Sequence, residues 1–179
     1  MAVAEPWQRA EVPGTKKALL LPKPQVLTGL VRKTKKRIMI VGSETFTFGI
    51  AEKELIECIR RFTQNEGIHV HASANTIRRF LENGFEPESF GPVFEIANRL
   101  QDSNWKGLDG EGNYDIALLI GLPYYMGWLI LSGLRNFATD LVTVSLDPYY
   151  QPNANWSLPN QSRENWIRFI KDLATSTTG

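Results

Sequence analysis

Among 179 residues the chain has one cysteine, Cys58, and two histidines. A single thiol excludes an intrachain disulfide. It also excludes an iron–sulfur cluster or a cysteine-based zinc site held by this chain alone. Apolar sequence is scarce at the start, where Met1 to Gly14 carries Glu5, Pro6, Arg9, Glu11 and Pro13. That stretch lacks the hydrophobic centre of a secretory signal, so a cytoplasmic location is expected. The sequons at Asn155 and Asn160 are then read as chance matches. Long uncharged runs are equally few. Ile116 to Leu134 is one, 19 residues without a charge, but Gly121, Pro123 and Gly127 interrupt it. It reads as a buried strand, Tyr114 to Gly121, followed by a mostly buried helix from about Tyr125 to Ala138. No membrane insertion is expected.

Net charge is also nearly absent, at +1, yet it is unevenly spread. Residues 1–37 hold nine Lys/Arg against two Asp/Glu, and the remainder holds eleven against seventeen. Such asymmetry marks either a nucleic-acid arm or a basic surface facing something acidic. No nucleic-acid motif follows along the chain, so no nucleic-acid partner is expected. Arg32 to Arg37, and the arm before them, are expected to face an acidic protein surface or solvent.

What is present suits one domain with a real core, 42% of the residues being hydrophobic. Residues 1–23 read as a basic, proline-rich arm and 24–179 as a single domain. Val26, Leu27, Leu30 and Val31 mark one face of a short helix after Pro24. From there apolar runs alternate with helical patterns. Strands are expected at Arg37–Gly42, Ile68–Ala72, Tyr114–Gly121 and Leu141–Asp147. Helices are expected at Ala51–Asn65 with Gly67 as stop, at Thr76–Asn83 capped by Asn75, at Pro92–Asp102, and at Ser162–Leu173. Val93, Phe94, Ala97 and Leu100 should point inward from the third of these. The alternation predicts an α/β fold with a parallel sheet covered on both faces.

In such a sheet ligands sit beyond the C-terminal strand ends, where the strand order reverses. Three strands end suitably, at Gly42-Ser43, at Gly121-Leu122 and at Asp147. These five are the candidate cofactor-binding residues. The glycines allow close backbone approach, and Asp147 suits a ribose or adenine donor. Plain strand-to-helix turns account for the same glycines. The Gly42–Gly49 segment lacks the GxGxxG spacing, and Glu44 would repel a pyrophosphate. His69 and His71 share a strand face, but no third ligand is evident, so a packed pair is expected and no metal site. Cys58 reads as buried structure. Asp109, Glu111, Asn113 and Asp115 alternate like the start of a calcium loop, but Tyr114 and Ile120 stand where glycine and glutamate are needed. No catalytic residue is assigned. Trp105, Tyr124, Tyr125, Trp128, Tyr149, Tyr150 and Trp156 follow strand ends or flank loops, as interface or anchoring residues do.

The run Trp105-Lys106-Gly107-Leu108-Asp109-Gly110-Glu111-Gly112-Asn113-Tyr114-Asp115, with Ile120-Gly121, Leu134-Arg135-Asn136-Phe137 and Trp156-Ser157-Leu158-Pro159-Asn160, resembles a known family. It is the epsilon subunit family of the archaeal acetyl-CoA decarbonylase/synthase complex. The likeness spans about residues 24–174. It implies a Rossmann-like parallel sheet, similar to the NAD/FAD-binding central domain of thiamine-diphosphate enzymes. It implies a partner, the catalytic alpha subunit of carbon monoxide dehydrogenase, which the subunit would stabilise, and it leaves room for self-association. It also implies an alternative role in electron transfer through FAD, bound near Gly42, Ser43, Gly121, Leu122 and Asp147. On the first reading, Gly121→Ala leaves the partner bound and truncating loop aromatics weakens binding.

Overall fold

The structure, a computed structural model, describes residues 17–176. The chain runs β1 (Leu19–Leu20), α1 (Pro24–Arg32), β2 (Arg37–Val41), a 3₁₀ turn (Ser43–Thr47), α2 (Glu52–Glu66), β3 (His69–Ser73) and α3 (Ile77–Glu82). It continues through β4 (Ser89–Gly91), α4 (Val93–Gln101), β5 (Ile116–Ile120), α5 (Tyr124–Phe137), β6 (Val142–Ser145), β7 (Trp156–Ser157) and α6 (Arg163–Thr175). One seven-stranded sheet forms, ordered β1-β7-β6-β5-β2-β3-β4. Every pairing in it is parallel. From β2 the chain winds outward through β3 and β4, then returns to place β5, β6 and β7 on the other side. The order therefore reverses between β2 and β5, and the crevice of such a sheet lies beyond their C-terminal ends.

Strand alternation sends side chains to two cores. Met39, Val41, Val70, Ala72, Leu118 and Ile120 face α1, α2 and α6, where Leu27, Leu55, Phe62, Trp166 and Phe169 meet them. Ile38, Ile40, Ala117 and Leu119 face α4 and α5, through Ile96, Leu100, Ile130 and Leu134. Trp166 is fully buried and its indole N–H donates to the Leu146 carbonyl at 2.7 Å, so its one polar group is satisfied. Gly67 ends α2 in the left-handed conformation, as the sequence pattern requires. Ser162 caps α6 by accepting from the Asn165 amide.

Several local expectations are corrected. Residues 19–20 of the expected arm form an edge strand on β7; residues 1–16 lie outside the described residues. Asn75 does not cap α3. A tight turn, Thr76 N–H to Ser73 O at 2.8 Å, closes first, and the helix starts at Ile77. Phe94 is 46% exposed, because α4 turns Val93, Ile96, Ala97 and Leu100 inward instead. α5 buries only Gly127, Ile130, Leu131 and Leu134, so it is half-exposed rather than mostly buried. Among the described residues no helix is long and apolar enough to cross a membrane.

The basic run after α1 is largely spent inside the molecule. Arg32 holds Glu66 through Nε and Nη2. Arg37 donates to the carbonyls of Glu66 and Thr34, and Lys36 pairs with Asp109. Lys33 and Lys35 remain exposed. The basic segment expected to face outward thus keeps three exposed cations, Arg32 among them while it holds Glu66, and Lys36 and Arg37 brace the ends of β2 and α2.

Candidate functional site

The ends of β2 and β5 are locked against each other. The Gly42 amide donates to the Ile120 carbonyl at 2.8 Å, and the Glu44 amide to the Gly121 carbonyl at 2.9 Å. The Thr45 hydroxyl donates to the Gly42 carbonyl at 2.8 Å and lies 3.2 Å from that of Ile120. Both glycines are required by this closeness. A Cβ on Gly42 would overlap the Gly121 carbonyl and stand 2.6 Å from Leu122 Cδ2. Gly121 has φ +73°, and a Cβ there would overlap the Thr45 backbone and hydroxyl.

Asp147 lies behind this contact, 4% exposed, and Oδ1 accepts from the Gly121 amide at 2.5 Å. Burial pushes its carboxyl up to about 7; the nearby Glu44 adds to the rise and the Gly121 amide opposes it. The carboxyl is thus committed to fixing the β5 turn.

In front of the contact lies a crevice of about 260 Å³. Gly42, Ser43 and Leu122 border it, together with Val93, Phe94 and Met126. Gly121 and Asp147 do not. The five residues expected together are therefore neighbours divided between two places, three at the crevice wall and two behind it.

At the opposite end of the sheet, residues 107–115 form a braced loop. Gly107, Gly110 and Gly112 all have positive φ. Lys36 Nζ pairs with Asp109 and donates to the Gly112 carbonyl at 2.8 Å. That pairing holds the Asp109 carboxyl at about 2. Asp115 Oδ2 accepts from the amides of Lys35 and Lys36 at 2.8 and 2.9 Å. Asp109 and Asp115 are thus spent on lysine and backbone, whereas Glu111 is exposed. The Tyr114 hydroxyl bonds His69 Nδ1 at 2.7 Å and accepts from the Leu108 amide at 3.3 Å. Burial pushes this phenol up to about 12.

The two histidines take separate partners. His69 goes to Tyr114, whereas His71 Nδ1 lies 2.6 Å from Ser89 Oγ. His71 is 4% exposed, and burial lowers its basicity. Among the described residues no group of three or more His, Cys, Asp or Glu is placed to hold a metal ion. The half-buried Cys58 thiol is pushed up by burial and by Glu54, which disfavours the reactive thiolate.

One helix surface has a different character from the rest. The outward line of α5 is Tyr125, Leu129, Ser132 and Asn136, one face at helical spacing, with Phe137 at its end. Tyr125, Leu129 and Phe137 are 67%, 52% and 72% exposed, and none of the five is charged. Elsewhere the outer helix surfaces carry ion pairs: Glu57 with Arg60 and Arg61 on α2, Arg78 with Glu82 on α3, and Glu95 with Arg99 on α4.

Residues 2–174 match the model of the family described as CO dehydrogenase beta subunit/acetyl-CoA synthase epsilon subunit. The chain belongs to this family. It is 32% identical to the acetyl-CoA decarbonylase/synthase complex subunit epsilon of Methanothermobacter thermautotrophicus, over 94% of this chain and 93% of that protein. The corresponding subunit of Methanothrix soehngenii is also 32% identical, over 87% and 80% of the two chains. Subunit epsilon 1 of Archaeoglobus fulgidus is 30% identical, over 82% and 77%.

In this epsilon-subunit chain the longest run that carried the resemblance, residues 105–115, lies at the opposite end of the sheet from the residues expected to bind a cofactor. Residues 107–115 precede β5, and Gly121 follows it. Sequence reading named Tyr125 among the loop aromatics but missed Leu129 and Phe137 as exposed. The available signal was the lack of charge in α5 before Arg135, which a buried helix shares.

Proposed function

We propose that the chain is an accessory subunit that docks on the catalytic alpha subunit of carbon monoxide dehydrogenase, in the cytoplasm, and stabilises it. The observation that carries this reading is the uncharged outward face of α5. An exposed apolar helix face rimmed by polar surface fits a protein interface. Family membership supports a partner within an acetyl-CoA decarbonylase/synthase complex. Leu129→Glu and Tyr125→Glu place a charge on that face without touching either core. Each is expected to retain its melting temperature and to lose co-purification with the alpha subunit. Undiminished co-purification of both variants would overturn the reading. Sedimentation of the isolated chain separates partner docking from self-association through the same face.

A flavin or nucleotide at the sheet crevice is the alternative. Its pyrophosphate needs free amides and a glycine surface open to the ligand. The Glu44 amide is spent on Gly121, each glycine faces the other strand end, and Glu44 adds a negative charge. Asp147 is bound to the Gly121 amide. The residues present do not fit a pyrophosphate, and no electron-transfer step is assigned to them.

A further inference from the structure

A second pocket, of about 150 Å³, lies where the turn after β2, the end of β6 and the start of α6 meet. Phe48, Tyr149, Gln161, Arg163 and Trp166 line it. We propose that this pocket binds a carboxylate carried on a short apolar stem.

Arg163 is preset. Its Nε donates to the Phe48 carbonyl at 2.9 Å, and its guanidinium lies over Gly49. Gly49 has φ +96°, and any Cβ there would overlap the guanidinium, so the glycine makes the seat. Arg32, Arg60, Arg61, Arg78, Arg79 and Arg99 each hold a carboxylate. Arg163 forms no such ion pair among the described residues, so its remaining donors are open to a ligand.

Other donors around the pocket are sorted in the same way. The Trp166 indole is committed to Leu146, and the Thr47 hydroxyl to the Glu44 carbonyl at 2.7 Å. The Gln161 backbone amide is spent on Pro148. Its side-chain Nε2, however, is buried without a hydrogen-bond partner. The unspent side-chain donors are therefore the planar guanidinium and the Gln161 amide, beside the exposed Tyr149 hydroxyl on the pocket wall. Together they match a monoanion with two oxygens, since arginine presents a fork to a carboxylate. A phosphate dianion would call for a second cation. The walls suit an apolar stem: Phe48 packs edge-on against Tyr149 at 6.3 Å and against Trp166 at 5.0 Å. A glutamate side chain of another subunit and a small free dicarboxylic acid present this same chemistry. The inference does not rest on the docking reading.

The test titrates the full-length ¹⁵N-labelled chain with glutarate at constant ionic strength, following the Arg163 Nε–H and Gln161 side-chain signals. Saturable shifts of both are expected, with half-saturation in the millimolar range. Arg163→Gln, which lacks that Nε–H, should abolish the shift of the Gln161 side-chain signal while its backbone amide spectrum stays native. Arg163→Lys, which keeps the charge but not the fork, should weaken binding about tenfold. Gln161→Leu, a variant that leaves the arginine in place, should also weaken it. No saturable shift, or an equal shift with sulfate at the same ionic strength, overturns the proposal. Adding the other subunits of the complex then separates the sources. Displacement of glutarate assigns the site to a partner's carboxylate, and retention assigns it to a free acid; either result requires the site.

Discussion

Asp147 and Gly121 are joined across the ends of β6 and β5 by a buried hydrogen bond of 2.5 Å. Burial of that carboxyl, which outweighs the opposing effect of the bond, makes stability depend on pH in a defined direction. The folded-state pKa of Asp147, about 7, lies above the ordinary 3.8. The folded protein therefore holds this proton more tightly than the unfolded chain. Its contribution is full below about pH 4 and is lost as pH rises through about 7. Asp147→Asn keeps an acceptor for the Gly121 amide and removes the titration. Wild-type unfolding free energy should fall between about pH 4 and about pH 7 by an amount on the order of a few kcal/mol, and the variant should lack that component. Parallel pH profiles for the two proteins would refute the assignment.

The mutual packing of Gly42 and Gly121 predicts unequal costs of added methyl groups. Gly121→Ala meets the Thr45 backbone and requires an alanine at φ +73°. It should destabilise by about 3 kcal/mol or more, and Gly42→Ala by about 1–3 kcal/mol. Urea midpoints measure both. This revises the sequence expectation that Gly121→Ala spares partner binding, since the variant should lose folded protein first. A Gly121→Ala protein as stable as wild type would contradict the geometry.

His71 predicts acid sensitivity of the opposite sign to Asp147. Burial holds its pKa below the ordinary 6.5, against smaller opposing effects of the Gly91 carbonyl and Glu95. The unfolded chain therefore takes up this proton first. Stability should fall as pH drops below about 6.5, until the lower folded pKa is passed. Ser89 lies on its Nδ1, and Glu95 and Arg99 face it from α4. His71→Gln should remove this acid-side slope. NMR titration of the imidazole gives a direct check, and an unshifted pKa would exclude the effect.

The braced loop before β5 makes a local rather than a global prediction. Lys36→Met removes the partner of Asp109 and of the Gly112 carbonyl. Amide exchange at Glu111 and Gly112 should quicken while the β5 amides stay protected. Tyr114→Phe removes the hydroxyl bonded to His69 and Leu108, and should cost about 1 kcal/mol. Unchanged loop exchange in Lys36→Met would show that the glycine turns hold the loop by themselves.

The locked strand ends predict that FAD titrated into the isolated chain stays free. Its fluorescence and visible spectrum should be those of unbound flavin. Stoichiometric quenching, lost on Ser43→Glu, would restore the flavin reading at the crevice.

The parallel sheet was legible because β2, β3, β5 and β6 are apolar runs separated by helical periods. β4 and β7 were not, since three and two residues are too few to display alternation. Gly42, Gly121 and Asp147 were singled out as cofactor-binding residues, and in the structure they hold two strand ends together. A glycine that admits a ligand and one that admits another strand leave the same mark in sequence. Only the crossing of two strand ends distinguishes them. Phe94 and the outer line of α5 show a related limit: hydropathy records that a residue is apolar, not whether its own domain covers it. The Arg163 pocket had no sequence signal, because its guanidinium is seated on the Phe48 carbonyl, 115 positions earlier.

The edge strand β1 has a consequence for the order of folding. Leu19 and Leu20 pair with Trp156 and Ser157, and the Ala18 carbonyl accepts from the Tyr150 hydroxyl, 132 positions along the chain. Of the described strands, the first to be made is therefore the last that can find its place. Until residues 150–157 have been made, Leu19 and Leu20 have no neighbour to join, and β7 in turn has no outer cover until they arrive. Closing that edge joins residues 18–20 to residues 150–157, so no growing piece that stops short of residue 157 can complete the sheet.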